Sequence, residues 1–519
     1  MGARVSRKPE TTISAVLIVK DEEECLARCL ESVRWVDEIV VYDTGSSDRT
    51  VEIARRFTDT VVEGYWDDDF GAARNRAIAR ATGEWVLVVD ADEQFVGSPH
   101  TVRKHLGSGR ANFFTIPVGT QVVQPGTIDP PATSVRFFRR SDGQYAGALH
   151  EQVVNRPGVR RVLRPLPGAS ITHTGYSEGP EAMEARFRRN LEIAERELES
   201  ARDAGQDGHE VAIRESNLAR SLVGAGRREE GMELGERVHD GGALPDIAME
   251  SFARAMAITA AAHGDTVLAR QWAGRLRAVA NHPVWADTVL VEISAAEHDP
   301  VATLDALELV PTTMVDEHGR QVRRVEYSRY EVWALWKLGR ARDVRRAAVR
   351  AAAAGVLPGQ PYELWEWVGE DGLREVVEAL TEDAWQLLGV LCTHVGATEA
   401  ARNVLDLMAR VRPGDLAVLL CARELRFPAD LAGLEEAATW SARMRTAGLE
   451  EYCTLVALAQ DVGTPAPQRA RAAALAHFAY GDPRALPALE DALAAVAPED
   501  EAELAAHLDV LAPGLVQRA

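Results

Sequence analysis

An apolar, β-branched run ends abruptly in acids at Gly83-Glu-Trp-Val-Leu-Val-Val-Asp-Ala-Asp-Glu93, so that Asp90, Asp92 and Glu93 crowd one point of the chain. Such a run reads as a strand buried on both faces, and in open α/β sheets the ligand sits beyond the carboxyl ends of the strands. Three carboxylates buried there without partners would be costly, so they stay wet or hold a cation. A hard divalent ion that also grips a diphosphate satisfies the acids and an anionic ligand together. Asp90 and Asp92, spaced i, i+2, are expected to project to the same side of an extended chain. An Asp-x-Asp is weak by itself in an acidic chain, and the surrounding elements decide what it means.

Other residues of chemical interest fall at similar places. Asp43 ends an apolar run and precedes Thr44-Gly45-Ser46, where the chain can turn sharply. A carboxylate there either accepts from N–H and O–H groups of a ligand or merely builds an Asx turn. Asp69 precedes a helical pattern carrying Arg74 and Asn75. It reads equally as an N-cap and as a ligand contact. The Arg74 guanidinium could brace Asp90 or meet a diphosphate bidentately. His150-Glu151 and His173 lie farther along, the latter in Ile171-Thr-His-Thr-Gly-Tyr176. Glu151 could equally be a surface carboxylate or one paired to Arg136 or Arg139.

The elements that must position these groups alternate strand and helix. Apolar runs at Ile13–Val19, 38–42 and 60–62 are separated by helical patterns at 22–33 and 48–57. A further helix at 70–81 leads into the strand that ends at Asp90. Repeated β-α-β units predict a parallel, doubly wound sheet with right-handed crossovers. Strands at 113–118 and 135–138 flank a Gly/Pro-rich segment, 119–134, long enough to be a lid or an acceptor loop. Short strands are expected near 145–154, 159–163 and 169–172. From about Pro180 the chain is nearly all helix, broken at turns such as Gly224-Ala-Gly226 and His263-Gly-Asp265. The spacing approaches that of two-helix tetratricopeptide repeats. Eight of the eleven tryptophans fall here, and large aromatics in helical arrays serve packing more often than ligands.

At 519 residues two or more domains are expected. A formal charge of -21 argues against nonspecific nucleic-acid binding and against anionic lipid. Five cysteines without a Cys-x-x-Cys pair suggest buried small hydrophobes rather than redox or zinc chemistry. No run is long enough to span a bilayer and the N-terminus lacks an h-region, so a cytoplasmic location without a transmembrane segment is expected.

Four segments in this order carry a resemblance: Val16-Leu-Ile-Val-Lys-Asp-Glu-Glu23, Val36-Asp-Glu-Ile-Val-Val-Tyr-Asp-Thr-Gly-Ser-Ser-Asp-Arg-Thr50, Trp66-Asp-Asp-Asp-Phe-Gly-Ala-Ala-Arg-Asn75 and the run ending in Asp90-Ala-Asp92. Together they resemble the GT-A fold glycosyltransferases of family 2, over about the first 190 residues, one typical domain. With its helical tail the chain is similar to the sublancin-type peptide S-glycosyltransferases; other relatives act on lipopolysaccharide or surface glycans. One departure is Asp21, where relatives commonly carry Asn. The resemblance implies an α/β GT-A domain with a mostly parallel sheet at 1–178, a connecting helix at 179–205 and an all-α, solenoid-like or bundled tetratricopeptide-type region at 206–519.

It further implies a metal-dependent, inverting transfer of a sugar from a UDP-linked donor. Val19, Asp21, Asp43, Asp69, Arg74 and Asp90 would contact the nucleotide, and Asp92 and His173 would hold Mn²⁺ or Mg²⁺. Near the acceptor, Glu151 or His150 would supply the general base. The expected acceptor is a peptide or protein side chain, and the helical region is expected either to grip it or to build a homodimer. Transfer to a surface glycan or lipopolysaccharide remains open. So does a reading from another class, a tetratricopeptide-type scaffold with a silent GT-A domain. A nucleotidyltransferase would place a Gly-rich, basic loop after its first strand. Lys20-Asp-Glu-Glu-Glu24 stands there instead.

Overall fold

The computed structural model describes residues 11–120, 132–173, 180–316 and 320–511. The chain divides into two compact units, Met1–Tyr330 and Glu331–Ala519.

In the first unit, strands and helices alternate as β1 (Ile13–Val19), α1 (Leu26–Ser32), β2 (Glu38–Asp43), α2 (Thr50–Ala54), β3 (Val61–Glu63), α3 (Phe70–Ile78) and β4 (Trp85–Val88). There follow β5 (Glu93–Gly97), α4 (Pro99–Leu106), β6 (Phe113–Thr120), β7 (Ala132–Arg139), β8 (Gly143–Ala146), β9 (Gln152–Asn155), β10 (Leu163–Pro165) and β11 (Ala169–His173). The main sheet runs β3-β2-β1-β4-β7-β6-β11-β5, with β10 added to β6. Strands β1 to β4 are mutually parallel, as the β-α-β pattern predicts. Beyond β4 the doubly wound expectation fails. Strand β7 inserts antiparallel between β4 and β6, and β5 pairs antiparallel with β11. The sheet is therefore mixed, although parallel pairs still predominate.

The period-two alternation of β1 and β4 explains how the sheet is covered. Ile13, Ala15, Leu17, Trp85, Leu87 and Val89 face α1, α2 and α4 in one apolar cluster. Val16, Val86 and Val88 face the other way, against Ala77 and Ile78 of α3 and Tyr145 and Val153 of the β8–β9 hairpin. Cys25 and Cys29 are buried, as expected of small hydrophobes.

Several local expectations are corrected. Asp90 and Asp92 do not lie on an extended chain: the Glu93 amide donates to the Asp90 carbonyl at 3.0 Å, a tight turn into β5. The acids therefore ride a reversal, which β5 needs in order to meet β11. Residues 145–154 are not one strand but a hairpin broken at residues 147–151, where Gly147 takes φ +99°. β10 begins at Leu163, where 159–163 was expected, and β5 and α4 were not foreseen at all. Most of the 119–134 segment lies outside the described residues.

After β11 come α5 (Pro180–Asp203), α6 (Gly208–Gly224), α7 (Arg228–Gly241), α8 (Asp246–Ala262), α9 (Thr266–Val279), α10 (Val284–Ala296) and α11 (Pro300–Leu309). Consecutive helices pack as neighbours: α5 on α6, α6 on α7, α8 on α9, and α10 on α11. A short hairpin, Thr313–Val315 with Gln321–Arg323, interrupts the helical pattern. The second unit is helical throughout its described residues. Trp272 and Trp385 are fully buried and Trp440 nearly so, which is the packing use expected of them. Among the described residues no helix is long and apolar enough to cross a membrane.

Candidate active site

Two neighbouring loops leave the carboxyl ends of β1 and β2. Val19 ends β1, and its carbonyl accepts from the Thr44 amide at 3.0 Å and the Thr44 hydroxyl at 3.1 Å. Asp21 takes a left-handed φ of 56°, a conformation that among non-glycine residues favours Asp and Asn. Its Oδ1 accepts from the Ser47 amide at 2.6 Å, and its own amide donates to Ser46 Oγ at 2.9 Å. Asp43 is buried, and its Oδ2 accepts from the amides of Gly45 and Ser46, both at 3.0 Å. Asp43 thus builds the turn after β2, with Ser46 closing it.

The second group gathers around Arg74, on the buried side of α3. Its Nη2 donates to Asp90 Oδ1 and its Nε to Glu151 Oε1, both at 2.8 Å. Arg136, from β7, donates through Nη2 to Glu93 Oε1 at 2.6 Å and stands 3.6 Å from Asp90 Oδ2. The other Glu93 oxygen accepts from the Asp90 amide at 2.8 Å. Burial first, then the charge of Asp90, pushes Glu93 up to about 7, against the pull of Arg136. Arg74 Nη1 is buried with no hydrogen-bond acceptor among the described residues. Asn75 exchanges two 2.9 Å hydrogen bonds with the Tyr145 backbone, tying α3 to the β8–β9 hairpin.

Two elements distant in sequence, α3 and β7, therefore converge on Asp90, and Arg74 ties the 147–151 loop to them through Glu151. Arg74, Asp90 and Glu151 are brought into direct contact. Glu151 pairs with Arg74 and not with Arg136 or Arg139, because α3 lies under the 147–151 loop while Arg139 goes to Glu84. Asp69 caps α3, its Oδ1 accepting from the Ala72 amide at 2.7 Å. Asp92 sits half-buried in the turn between β4 and β5. His173 is placed by its backbone alone, opposite Glu93 in the β11–β5 register. His150 is left-handed at φ 54° and keeps an exposed edge. The protein crowding its ring nonetheless pulls its pKa down to about 4, with Arg220 adding to the effect. Its imidazole is neutral near pH 7.

Sequence reasoning missed Arg136 as the partner of Asp90 and Glu93. The available signal was a lone charge inside the apolar strand Val135-Arg-Phe-Phe138. A charge in a buried strand is retained only with a partner. Gly71 also escaped notice: a Cβ there would stand 2.5 Å from the Gly147 carbonyl oxygen, so α3 approaches the 147–151 loop as closely as glycine permits. A cavity of about 540 Å³ lies elsewhere, between Tyr42, Tyr65, Arg76 and Arg80, and includes none of these carboxylates.

Residues 14–154 match the model of Glycosyl transferase family 2, so the chain carries a domain of that family in its N-terminal third. It is 40% identical over 174 residues to a TPR repeat-containing protein of Synechococcus elongatus, a match covering 32% of this chain and 42% of that protein. It is 30% identical over 193 residues to the SPbeta prophage-derived glycosyltransferase SunS of Bacillus subtilis, covering 36% of this chain and 45% of SunS. The chain thus spans less than half the length of these curated relatives. Among solved structures, S. aureus TarS 1-349 in complex with UDP-GlcNAc aligns at 15% identity and TM-score 0.27, covering 60% of this chain and 95% of that one. The mannosyltransferase PcManGT of Pyrobaculum calidifontis, in complex with GDP-Man and Mn2+, aligns at 17% and TM-score 0.27, covering 58% and 88%.

Proposed function

We propose that this protein transfers a sugar from a UDP-linked donor to a peptide or protein side chain, with inversion at the sugar carbon. The observation that carries the reading is the Arg74–Asp90–Glu151 contact at the carboxyl ends of the parallel strands, inside a family 2 domain. The nucleotide would lie along Val19, Asp21, Asp43 and Asp69, with Asp90 toward the ribose. A divalent ion, Mn²⁺ or Mg²⁺, would be held by Asp92 and His173. Among the described residues no three His, Cys, Asp or Glu side chains converge as a ready metal site, so Asp92, which is half-buried, and His173 would need the donor's own diphosphate oxygens to complete the set. Oxygen and imidazole ligands suit such ions, with imidazole tilting the set toward manganese. When bound, the ion would neutralise charge building on the departing diphosphate.

The chain's own residues do the rest. Arg74 fixes the direction of both Asp90 and Glu151, and its orphaned Nη1 offers one more donor for an anionic oxygen. The acceptor atom attacks the anomeric carbon from the face opposite the nucleotide. The new bond to carbon forms as the carbon–oxygen bond to the diphosphate breaks, and UDP leaves with that electron pair. Glu151 takes the acceptor's proton, or neutral His150 does so beside it. A polypeptide acceptor is supported by the helical region, whose stacked helix pairs suit extended chains. A boundary near residue 178, homodimerisation through the helices and a cytoplasmic site belong to the same proposal.

Calorimetric titration of UDP, with and without Mn²⁺, into the wild-type protein and Asp92→Ala tests the donor half. Metal-dependent binding that vanishes in the variant supports it. No binding of UDP under either condition sinks the UDP claim and favours a non-catalytic scaffold.

A further inference from the structure

Helices α5 and α6 do more than follow the family 2 domain. Ile193 and Ala194 of α5 are buried against Ala148 and Leu149, and Trp66, Phe70 and Leu218 close the same apolar cluster. The 147–151 loop is thus sandwiched between the start of α3 and the first two helices of the tail. On the α3 side the Phe70 amide donates to the Ala148 carbonyl at 3.0 Å. On the tail side, Arg196 of α5 pairs with Asp68 at 3.0 Å and Arg189 covers the Phe70 ring at 5.3 Å. Arg220 of α6 stands near enough to His150 to bias its protonation.

Two of the described non-glycine residues with left-handed backbone, Asp68 and His150, lie in this sandwich. Such residues persist where their surroundings over-determine them. Asp68 is held by Trp66 Nε1 at 2.7 Å and by Arg196; His150 follows the buried anchor Leu149 directly. Glu151 comes next in the chain and reaches Arg74.

We infer that α5 and α6 are positioning elements of the transfer site: Ile193, with Leu218 behind it, clamps Leu149 and thereby holds the left-handed turn at His150 that aims Glu151 at Arg74. This rests on the proposed transfer reaction, but its structural content does not. Ile193 and Leu218 touch no substrate; they act through the loop. The clamp predicts a split between donor affinity, set at the strand ends and by Asp69 and Arg74 of α3, and turnover, set by the loop.

Ile193→Ala tests this, with Ile193→Val as the conservative control and Arg196→Met as a variant that opens no apolar cavity. Sugar transfer by Ile193→Ala is expected to fall on the order of 10-fold to 100-fold, since a displacement near 1 Å can cost that much. Its Kd for UDP should stay unchanged, and Ile193→Val should recover most of the rate. The Phe70 amide, which donates to the Ala148 carbonyl, should exchange hydrogen faster in Ile193→Ala, while the amides of β1 and β2 keep their protection. Unchanged exchange at Phe70 in a folded Ile193→Ala protein overturns the inference. So does a loss of UDP affinity in step with the rate, or equal damage from Ile193→Val. If the wild type transfers no sugar yet exchange at Phe70 accelerates as described, the transfer reading fails while the positioning role stands.

Discussion

Two knots of arginine and carboxylate, one in each unit, use the same chemistry to opposite ends. In the second unit Asp482 accepts from Arg445 at 2.6 Å and from Arg484 at 2.7 Å, and Arg484 also caps the carbonyls of Glu450 and Glu451. Cations outnumber the acid there, and the Arg484 hydrogen bonds hold the Asp482 carboxyl well below its usual range, against a smaller opposing effect of burial. At the strand ends the ratio reverses: Asp90, Glu93 and Glu151 share Arg74 and Arg136. Glu93 is pushed up rather than down. A knot built only to hold the fold satisfies its acid, whereas one that leaves acids in excess is poised for something further. Perturbed acids gather at functional sites for this reason.

The sharpest way to break the comparison is Arg74→Met. Removing one partner from a buried pair leaves charge uncompensated, and about 3–5 kcal/mol of stability should be lost, read by denaturant unfolding of the first unit. UDP titration should show donor binding lost with it. If Arg74→Met keeps wild-type stability, the strand-end knot is not the buried network described here.

Asp482→Asn should have a smaller and purely structural effect. Hydrogen bonds to charged groups contribute about 1.5–3 kcal/mol, and the loss should appear in the second unit with UDP affinity unchanged. An effect on UDP binding would erase the distinction between the knots.

The smallest expected effect is on pH dependence, where the two should slope in opposite directions. Folded Glu93 keeps its proton up to about 7, whereas an unfolded glutamate loses it near 4.5, so the strand-end knot weakens as pH rises through that window. Asp482 is depressed, so its contribution is present above the ordinary aspartate value of 3.8 and is lost as pH falls through its lowered one. Thermal melts of Glu93→Gln across pH 4–8 and of Asp482→Asn from pH 4 downward check this: each variant should flatten only its own slope.

The first four strands were legible because they are apolar runs separated from one another by helical patterns, and Ile13–Val19 matches residue for residue. In the sheet's second half β6, β7 and β11 were legible as strands but their order was not, because antiparallel insertion of β7 depends on pairing across distance rather than on any local signal. β5 hid behind its acid: Glu93 belongs in sequence to the acidic cluster, and only its pairing with His173 makes it a strand. Helix α4 announced itself through Ser98-Pro99, a cap followed by proline at the first helical position, and was overlooked. At the site, the types of residue were readable and their partners were not. Arg74 could be placed near Asp90 from strand-end logic. Its grip on Glu151 required the close approach of α3 to Gly147, which Gly71 allows and no spacing rule foretells.

The pairing of β5 with β11 also sets a clock. The turn bearing Asp90 and Asp92 is followed by a strand whose partner lies beyond α4 and the whole of β6 to β10. During synthesis, at about 5–20 residues per second, β1 to β4 can zip together from the emerging chain while β5 waits several seconds for β11 to leave the ribosome. Long-range pairing of this kind slows folding. The acid turn is therefore among the last parts of the main sheet to close, and a nascent chain stalled before residue 169 would carry the strand ends of β1 and β2 without a finished site.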